Sequence, residues 1–230
     1  YNVDICNFKD LERVFRDCNP DIVFHMAALP GVLNSVIDPC KTNDVNISGL
    51  LNVLKLSSDF FSQKLIFSSS SSVYGGSGDL PTNESSEKNP KSPYAVQKLS
   101  GEEYCRVFSS ISDLDTASLR YFNVFGPRQN PDSEYSAVIA SFCNSVKNST
   151  TPKIYGSGEQ FRDFCYIDNV IYANILVALS DKKFNGDVFN VGTGNTKTVN
   201  SLCSIIGTRD PEYFPERSGD VFCSQADISK

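Results

Sequence analysis

Short runs of β-branched and aromatic residues alternate with amphipathic stretches along the first half of the chain. The apolar runs predict strands at Val3–Ile5, Ile22–Ala27, Lys64–Ser68 and Ala117–Phe122, and the amphipathic stretches predict helices at residues 10–17, 38–60 and 92–111. Strands that alternate with helices are typical of a parallel sheet with crossover helices. We therefore expect an α/β fold.

The alternation weakens after Gly126-Pro127-Arg128. Before that point, residues 75–91 are polar and rich in Gly, Pro, Asn and Ser, which predicts a surface loop. Beyond it, a helix at 137–147 and the turn-rich residues 150–162 predict a smaller lobe. A helix at 166–180, a strand at 187–191 and a helix at 198–206 follow, and the remaining residues predict irregular structure.

The chain has 230 residues, of which 21 are Lys or Arg and 27 are Asp or Glu, so its net charge is −6. This balance argues against a general binder of nucleic acids or anionic membranes, and an anionic ligand would need a local cationic pocket. No apolar run reaches the ~18 residues that a membrane span needs, and the first residues carry no targeting signal. We expect a soluble, cytoplasmic protein.

The eight cysteines are widely spaced and form no Cys-x-x-Cys pair. This spacing favours buried thiols in a reducing compartment over zinc ligands or a disulfide framework. His25 is the one histidine, so a site with several histidine ligands is excluded, and its position at the end of an apolar run indicates a structural side chain. We predict no metal site.

Candidate chemistry begins with Tyr94 and Lys98, which lie four residues apart on the helix that Ser92 and Pro93 introduce. This spacing places both side chains on one face, where an ammonium group lowers the pKa of a phenol and makes it a general base. Such a pair also decorates exposed helices. None of the other nine tyrosines, however, has a lysine four residues later.

A serine-rich segment, residues 68–72, ends the predicted strand that begins at Lys64. Parallel sheets place their active sites at the carboxyl ends of strands, so a serine here could bond a substrate hydroxyl opposite the tyrosine. A flexible polar loop is the alternative that this segment alone leaves open.

Taken together, these segments resemble the extended short-chain dehydrogenase/reductases of the NAD-dependent epimerase/dehydratase family, and within it the nucleotide-sugar 4-epimerases. The segments that carry the resemblance occur in the expected order: His25–Ala28, Gly31-Val32, Asp38-Pro39, Asn46–Gly49, Ser68–Gly75, Ser92–Lys98, Leu119–Pro127, Gly156–Asp163, Phe189–Gly192 and Arg217–Asp220. The resemblance implies a Rossmann-like doubly wound parallel sheet and a smaller substrate-binding lobe. It also implies NAD as cofactor, a UDP-sugar as substrate and a homodimer.

The resemblance also implies the site residues. Tyr94 would be the base, Lys98 would lower its pKa and hold the nicotinamide ribose, and Ser70 would be the catalytic hydroxyl. The implied cofactor-binding residues are Asp4, Ile5, Ala27, Ala28, Ser68, Tyr94, Lys98 and Tyr121. The implied substrate-binding residues are Ser70, Asn123, Arg162, Arg217, Asp220 and Ser224, with both arginines on the phosphates, although either arginine alone could form a surface ion pair.

Two positions at which this chain differs from the family's pattern indicate which reaction and which substrates to expect. The family's dehydratases and decarboxylases carry acidic residues after the catalytic serine, whereas this chain has Ser71 and Ser72, which favours 4-epimerisation. The position that restricts the sugar pocket with a tyrosine in the family is Ser224, so we predict that UDP-GlcNAc and UDP-GalNAc are accepted as well as UDP-Glc and UDP-Gal. A uronate epimerase, a dehydratase and a non-catalytic UDP-sugar-binding module are the alternatives.

The family's opening Gly-x-x-Gly-x-x-Gly turn, which seats the pyrophosphate, is not found in this sequence. The resemblance therefore implies that the first β-α-β unit is missing and that the sequence is a fragment of a longer protein. We assign residues 1–122 and 163–192 to the NAD-binding core and residues 123–162 and 193–230 to the nucleotide-sugar-binding lobe.

Overall fold

The structure is a computed structural model that describes residues 1–76, 78–130, 138–208, 210–216 and 221–230. Its helices are α1 Phe8–Cys18, α2 Val32–Ile37, α3 Pro39–Asn43, α4 Leu50–Asp59, α5 Pro93–Ile111, α6 Val138–Asn148, α7 Ile167–Leu179 and α8 Val199–Ile206. Its strands are β1 Ile22–His25, β2 Lys64–Ser70, β3 Asp115–Tyr121, β4 Val124–Phe125, β5 Lys153–Tyr155, β6 Phe161–Arg162, β7 Cys165–Tyr166, β8 Asp187–Val191, β9 Lys197–Thr198 and β10 Glu212–Phe214.

The central sheet has the strand order β1-β2-β3-β8. Strands β1 and β2 are parallel, with Ile22 opposite Lys64 and His25 opposite Phe67. One face of β2 packs into a core with α1, α4 and α5, in which Leu50, Leu54 and Leu65 are fully buried. The α/β fold with a parallel central sheet is therefore confirmed.

The start of helix α5 was predictable from two residues. The Ser92 side chain accepts a hydrogen bond from the Ala95 N–H, and Pro93 occupies the first turn. A serine N-cap followed by proline is the preferred start of a helix, because the cap satisfies a free N–H and proline has none to satisfy. The predicted helices at 10–17, 137–147, 166–180 and 198–206 also match α1, α6, α7 and α8 within two residues.

The predicted strand at Val3–Ile5 is wrong, because these residues form no ladder with any described strand. They lead instead into α1 through local bonds: the Asp4 carboxylate accepts from the Cys6 N–H at 2.9 Å, and the Asp4 carbonyl accepts from the Asn7 N–H at 2.9 Å. An extended run becomes a strand only when its N–H and C=O groups find a neighbouring strand.

The predicted helix over residues 38–60 is interrupted by a π-helical turn at Asp44–Gly49, between α3 and α4. Within this turn Asn46 is buried, and its side chain bonds both the N–H and the carbonyl of Leu29. Its amide also donates to Gln97 Oε1 on α5 at 2.8 Å. The turn thus joins the segment after β1 to the helix that carries Tyr94 and Lys98.

All eight cysteines are free thiols, as expected, but only Cys105, Cys165 and Cys203 are buried. The expectation of buried thiols is therefore wrong for Cys6, Cys18, Cys40 and Cys143, which are exposed. Among the described residues, no helix is both long and apolar enough to cross a membrane.

The chain forms two compact units. Unit 1 comprises residues 1–75, 88–120 and 172–189, and unit 2 comprises residues 76–87, 121–171 and 190–230. These bounds differ from the predicted domains mainly in that residues 76–87 and 163–171 group with unit 2. The cofactor-binding and substrate-binding roles assigned to the domains stay predictions.

Candidate active site

Strand β2 delivers three consecutive serines to the candidate site in unit 1. Its residues Lys64 to Ser69 are buried, and Ser70 is its last residue. The Ser70 hydroxyl accepts from the Ser72 N–H at 3.2 Å and so caps a 3-10 turn at Ser71–Tyr74. Gly75 ends that turn at φ 64°, where a Cβ atom would lie 1.8 Å from the Asn89 carbonyl oxygen, so this turn needs glycine.

Helix α5 places Tyr94 and Lys98 beside these serines. Lys98 Nζ donates to the Ser68 carbonyl at 2.7 Å, and it lies 5.7 Å from the centre of the Tyr94 ring. The Ser70 side chain is close enough to the Tyr94 phenol to act on its pKa. The structure therefore brings together the three residues predicted to be catalytic, within unit 1.

Burial dominates the electrostatics of this group. It raises the pKa of Tyr94, an effect that the Ser70 side chain partly opposes. It lowers the pKa of Lys98 to about 8, while the Cys105 and Glu102 side chains act in the opposite direction. The predicted effect of Lys98 on the Tyr94 pKa is not among the causes here, since the ammonium group is directed at the Ser68 carbonyl.

The predicted structural role of His25 agrees with its surroundings. This last residue of β1 is buried, and its ring stacks on Phe67 with 5.9 Å between ring centres. Burial and the nearby Lys98 lower the pKa of His25 to about 4. The imidazole is therefore neutral near pH 7.

The predicted cofactor-binding residues of unit 1 lie along β1, β2 and α5, except at the N-terminus. Ala27 and Ala28 follow the carboxyl end of β1, and Ser68 is buried in β2, whose register sets His25 opposite Phe67. Asp4 is exposed, and Ile5 packs against Gly49. Tyr121, at the end of β3, belongs to unit 2.

The predicted cofactor-binding residues of unit 1 fit a bound dinucleotide. Open α/β sheets bind nucleotides at the carboxyl ends of their strands, and small residues there let a cofactor approach the backbone. The Lys98 ammonium has three N–H donors and gives one to the Ser68 carbonyl, which leaves two for ribose hydroxyls.

The predicted substrate-binding residues of unit 2 form a second hydrogen-bonded group. The Ser224 hydroxyl donates to Asn123 Oδ1 at 3.2 Å, and Ser224 also pairs through its backbone with Phe161 and Asp163, on either side of Arg162. Arg162 donates to the carbonyls of Phe161 and Phe222. Arg217 and Asp220 lie outside the described residues.

Asp163 organises this group and was not predicted. Its fully buried carboxylate accepts four hydrogen bonds: from the N–H and the hydroxyl of Thr193, from the Gly194 N–H and from the Ala226 N–H, at 2.7 to 3.1 Å. One side chain thus ties the strand of Arg162 to the segment that carries Ser224. The only sequence signal was its place beside Arg162.

Glu102 and Arg120 are the main unpredicted residues of unit 1. Their side chains are 3% and 2% exposed and form an ion pair with N···O 2.6 Å. Glu102 lies four residues after Lys98, one helical turn further along α5, and this spacing is the signal that could have identified it.

Residues 1–192 match the NAD dependent epimerase/dehydratase family. The chain belongs to this family. Membership confirms the resemblance, the expectation of an enzyme and NAD as the cofactor of this NAD-dependent epimerase/dehydratase.

Similar proteins cover the whole chain. It is 43% identical to the UDP-N-acetylglucosamine 4-epimerase of Methanobrevibacter ruminantium, solved with UDP-N-acetylmuramic acid, with a TM-score of 0.93 over 100% of this chain and 74% of that one. It is 38% identical to the UDP-glucose 4-epimerase of Thermotoga maritima, solved with UDP-glucose, with a TM-score of 0.94 over 100% and 75% of the two chains. A UDP-glucose 4-epimerase of Mycolicibacterium smegmatis is 35% identical over 96% of this chain and 72% of its own length.

Proposed function

We propose that this family member catalyses the NAD-dependent 4-epimerisation of a UDP-hexose through a 4-keto sugar. The observation that carries the proposal is the arrangement of Tyr94 and Lys98 one turn apart on α5, beside Ser70 at the end of β2, with Lys98 bonded to the Ser68 carbonyl. Relatives named as UDP-sugar 4-epimerases support it.

In this proposal the chain supplies proton transfer and orientation. The Ser70 hydroxyl bonds the 4-hydroxyl of the sugar and directs it at the Tyr94 oxygen, which takes its proton and returns it after the ketone has turned. The Lys98 ammonium would hold the ribose of the cofactor with the N–H groups that the Ser68 carbonyl does not take. NAD, held by Lys98 and by residues at the carboxyl ends of β1 and β2, would supply hydride transfer from and to C4 of the sugar.

We assign the nucleotide diphosphate to residues of unit 2. Asn123, Arg162 and Arg217 would bind the phosphates, because an acidic protein needs fixed local cations to hold a pyrophosphate and guanidinium groups match its oxygens. Asp220 would bind near the uridine ribose. The bonds of Ser224 to Asn123 and to the backbone beside Arg162 support a shared site for these side chains.

We also propose a homodimer and a cytoplasmic location. Helix α5 exposes Val96, Tyr104, Val107 and Ile111 by 37–71%. At about 100° per residue these four side chains fall within one narrow face, on the side of the helix opposite Tyr94 and Lys98. A second copy of the same face would cover them. Eight unpaired thiols support a reducing compartment.

The decisive experiment uses the purified full-length gene product. We expect NAD to be released on denaturation, and UDP-Glc and UDP-GlcNAc to be converted to their 4-epimers. Tyr94→Phe should lower kcat by about 100-fold or more, because it removes the group that exchanges the proton. Tyr172→Phe, at an exposed tyrosine of α7, is the matched control and should keep its activity.

A protein that neither contains nor binds NAD and converts neither sugar nucleotide would contradict the proposal. If that protein still bound a UDP-sugar, the non-catalytic binding module would replace the enzyme as the explanation of the fold.

A further inference from the structure

We propose that Ser69, Glu102 and Arg120 are positioning residues that hold the serine strand against the catalytic helix. The proposal rests on the function assigned above, because it concerns the geometry of Tyr94, Lys98 and Ser70. It assigns a role to a buried ion pair that the chemical steps themselves do not use.

Three consecutive serines of β2 each lie beside a different residue of α5. The Ser68 carbonyl accepts from Lys98 Nζ and the Ser69 hydroxyl donates to Glu102 Oε1, while the Ser70 side chain acts on the pKa of Tyr94. The outer two contacts involve the catalytic side chains and the middle one does not. Ser69–Glu102 is therefore a contact between strand and helix that lies between the pairs Lys98–Ser68 and Tyr94–Ser70.

Arg120 of β3 holds Glu102 in the orientation that this contact needs. Its guanidinium bonds both carboxylate oxygens, from Nε to Oε1 at 2.8 Å and from a terminal nitrogen to Oε2 at 2.6 Å. A bidentate pair fixes the plane of the carboxylate as well as its distance. Another terminal nitrogen donates to the Tyr74 hydroxyl at 2.7 Å, at the end of the 3-10 turn that Ser70 caps.

This ion pair is not explained by stability alone. Desolvation of both charges largely cancels their attraction, so an apolar pair of similar volume would stabilise the fold as well. An apolar pair, however, could not accept the hydrogen bond of the Ser69 hydroxyl. It also could not place a negative charge one turn from the Lys98 ammonium. The charge of Glu102 opposes the effect of burial on the pKa of Lys98.

Two variants test the proposal in the full-length gene product. Ser69→Ala removes only the middle contact and should lower kcat for the UDP-sugar by about 10- to 100-fold, with KM changed less than about twofold, because a small displacement of reacting groups is costly. Ser57→Ala is the control, since Ser57 is also a fully buried serine of unit 1, in α4, and its activity should match the wild type. Equal kcat values for the two variants would overturn the proposal.

A second readout does not depend on turnover. In protein with ¹³C-labelled lysine, Glu102→Gln should move the NMR titration of Lys98 to lower pH, while Ser57→Ala leaves it unchanged. The same variant should move the alkaline limb of the kcat profile to lower pH. If the titration shifts but the wild type converts no UDP-sugar, the positioning network stands and the proposed function fails; an unshifted Lys98 titration would overturn the network.

Discussion

Ser224 is the residue on which the proposed sugar preference depends. It is partly buried, and its small side chain bonds Asn123 in unit 2. In the proposed function, a tyrosine at this position would occupy the space of an N-acetyl group, and it would also remove the bond to Asn123.

We predict that Ser224→Tyr lowers kcat/KM for UDP-GlcNAc by about 10- to 100-fold and keeps most of the activity on UDP-Glc, since a steric clash discriminates between the two sugars. Parallel assays with both substrates measure the ratio. Ser224→Ala separates the two effects, because it removes the hydrogen bond and adds no bulk, so its ratio should equal that of the wild type. An unchanged ratio in Ser224→Tyr would place the specificity position elsewhere.

At the residue scale, the predictable contacts are those that spacing along a single element decides. Tyr94 and Lys98 share a helix, so their common face followed from four residues of separation. Glu102 and Arg120 are 18 residues apart on different elements, and Asp163 reaches partners 30 to 63 residues away. Contacts of that kind depend on how the elements pack, which no local pattern specifies.

At the scale of elements, Asp163 joins three segments that have little regular structure of their own. Strands β6 and β9 have two residues each, and the segment 221–230 forms two isolated bridges, Cys223 with Phe161 and Ala226 with Thr82. Such short ladders provide few backbone bonds. The four bonds to one buried carboxylate therefore carry much of the local order in this part of unit 2.

Asp163→Asn should lower the free energy of unfolding by about 1.5–3 kcal/mol, because its amide NH₂ would face N–H donors where a charged oxygen accepted them. Urea denaturation measures the loss, and hydrogen exchange at Gly194 and Ala226 should locate it. Asp113→Asn makes the same chemical change at an exposed turn and should have little effect. Equal free energies of unfolding for the two variants would show that the four hydrogen bonds to the Asp163 carboxylate do not stabilise the fold.

The longer elements were largely predictable, whereas helix α2 and the strands of two or three residues were not. Caps and amphipathic periodicity act over a few residues, which is why α5 begins at Pro93 as expected and α8 follows the Thr198 cap. The strand at Val3–Ile5 was wrong because a strand also needs a neighbour. Residues 76–87, which we assigned to the core as a surface loop, group instead with unit 2.

For the whole molecule, the exposed face of α5 is the basis of the proposed homodimer. Val107→Glu would place a charge at the centre of this face and should convert a dimer into a monomer, because burying an unpaired carboxylate is strongly unfavourable. Light scattering after size-exclusion chromatography gives the mass. Ile205→Glu changes an exposed isoleucine of α8 and should leave the mass unchanged. A wild-type protein that is already monomeric would contradict the dimer.

The π-helical turn at Asp44–Gly49 has a consequence for how this chain can vary in length. Such a turn holds one residue more than the α-helical path around it, so it is a one-residue insertion that the fold has absorbed. Deleting a residue within it would restore regular winding and rotate everything on one side by about 100° relative to the other. Asn46 would then turn away from Leu29 and Gln97. An alignment gap of one residue here therefore signifies a changed connection to the catalytic helix, whereas the same gap in the loop at 78–91 would not.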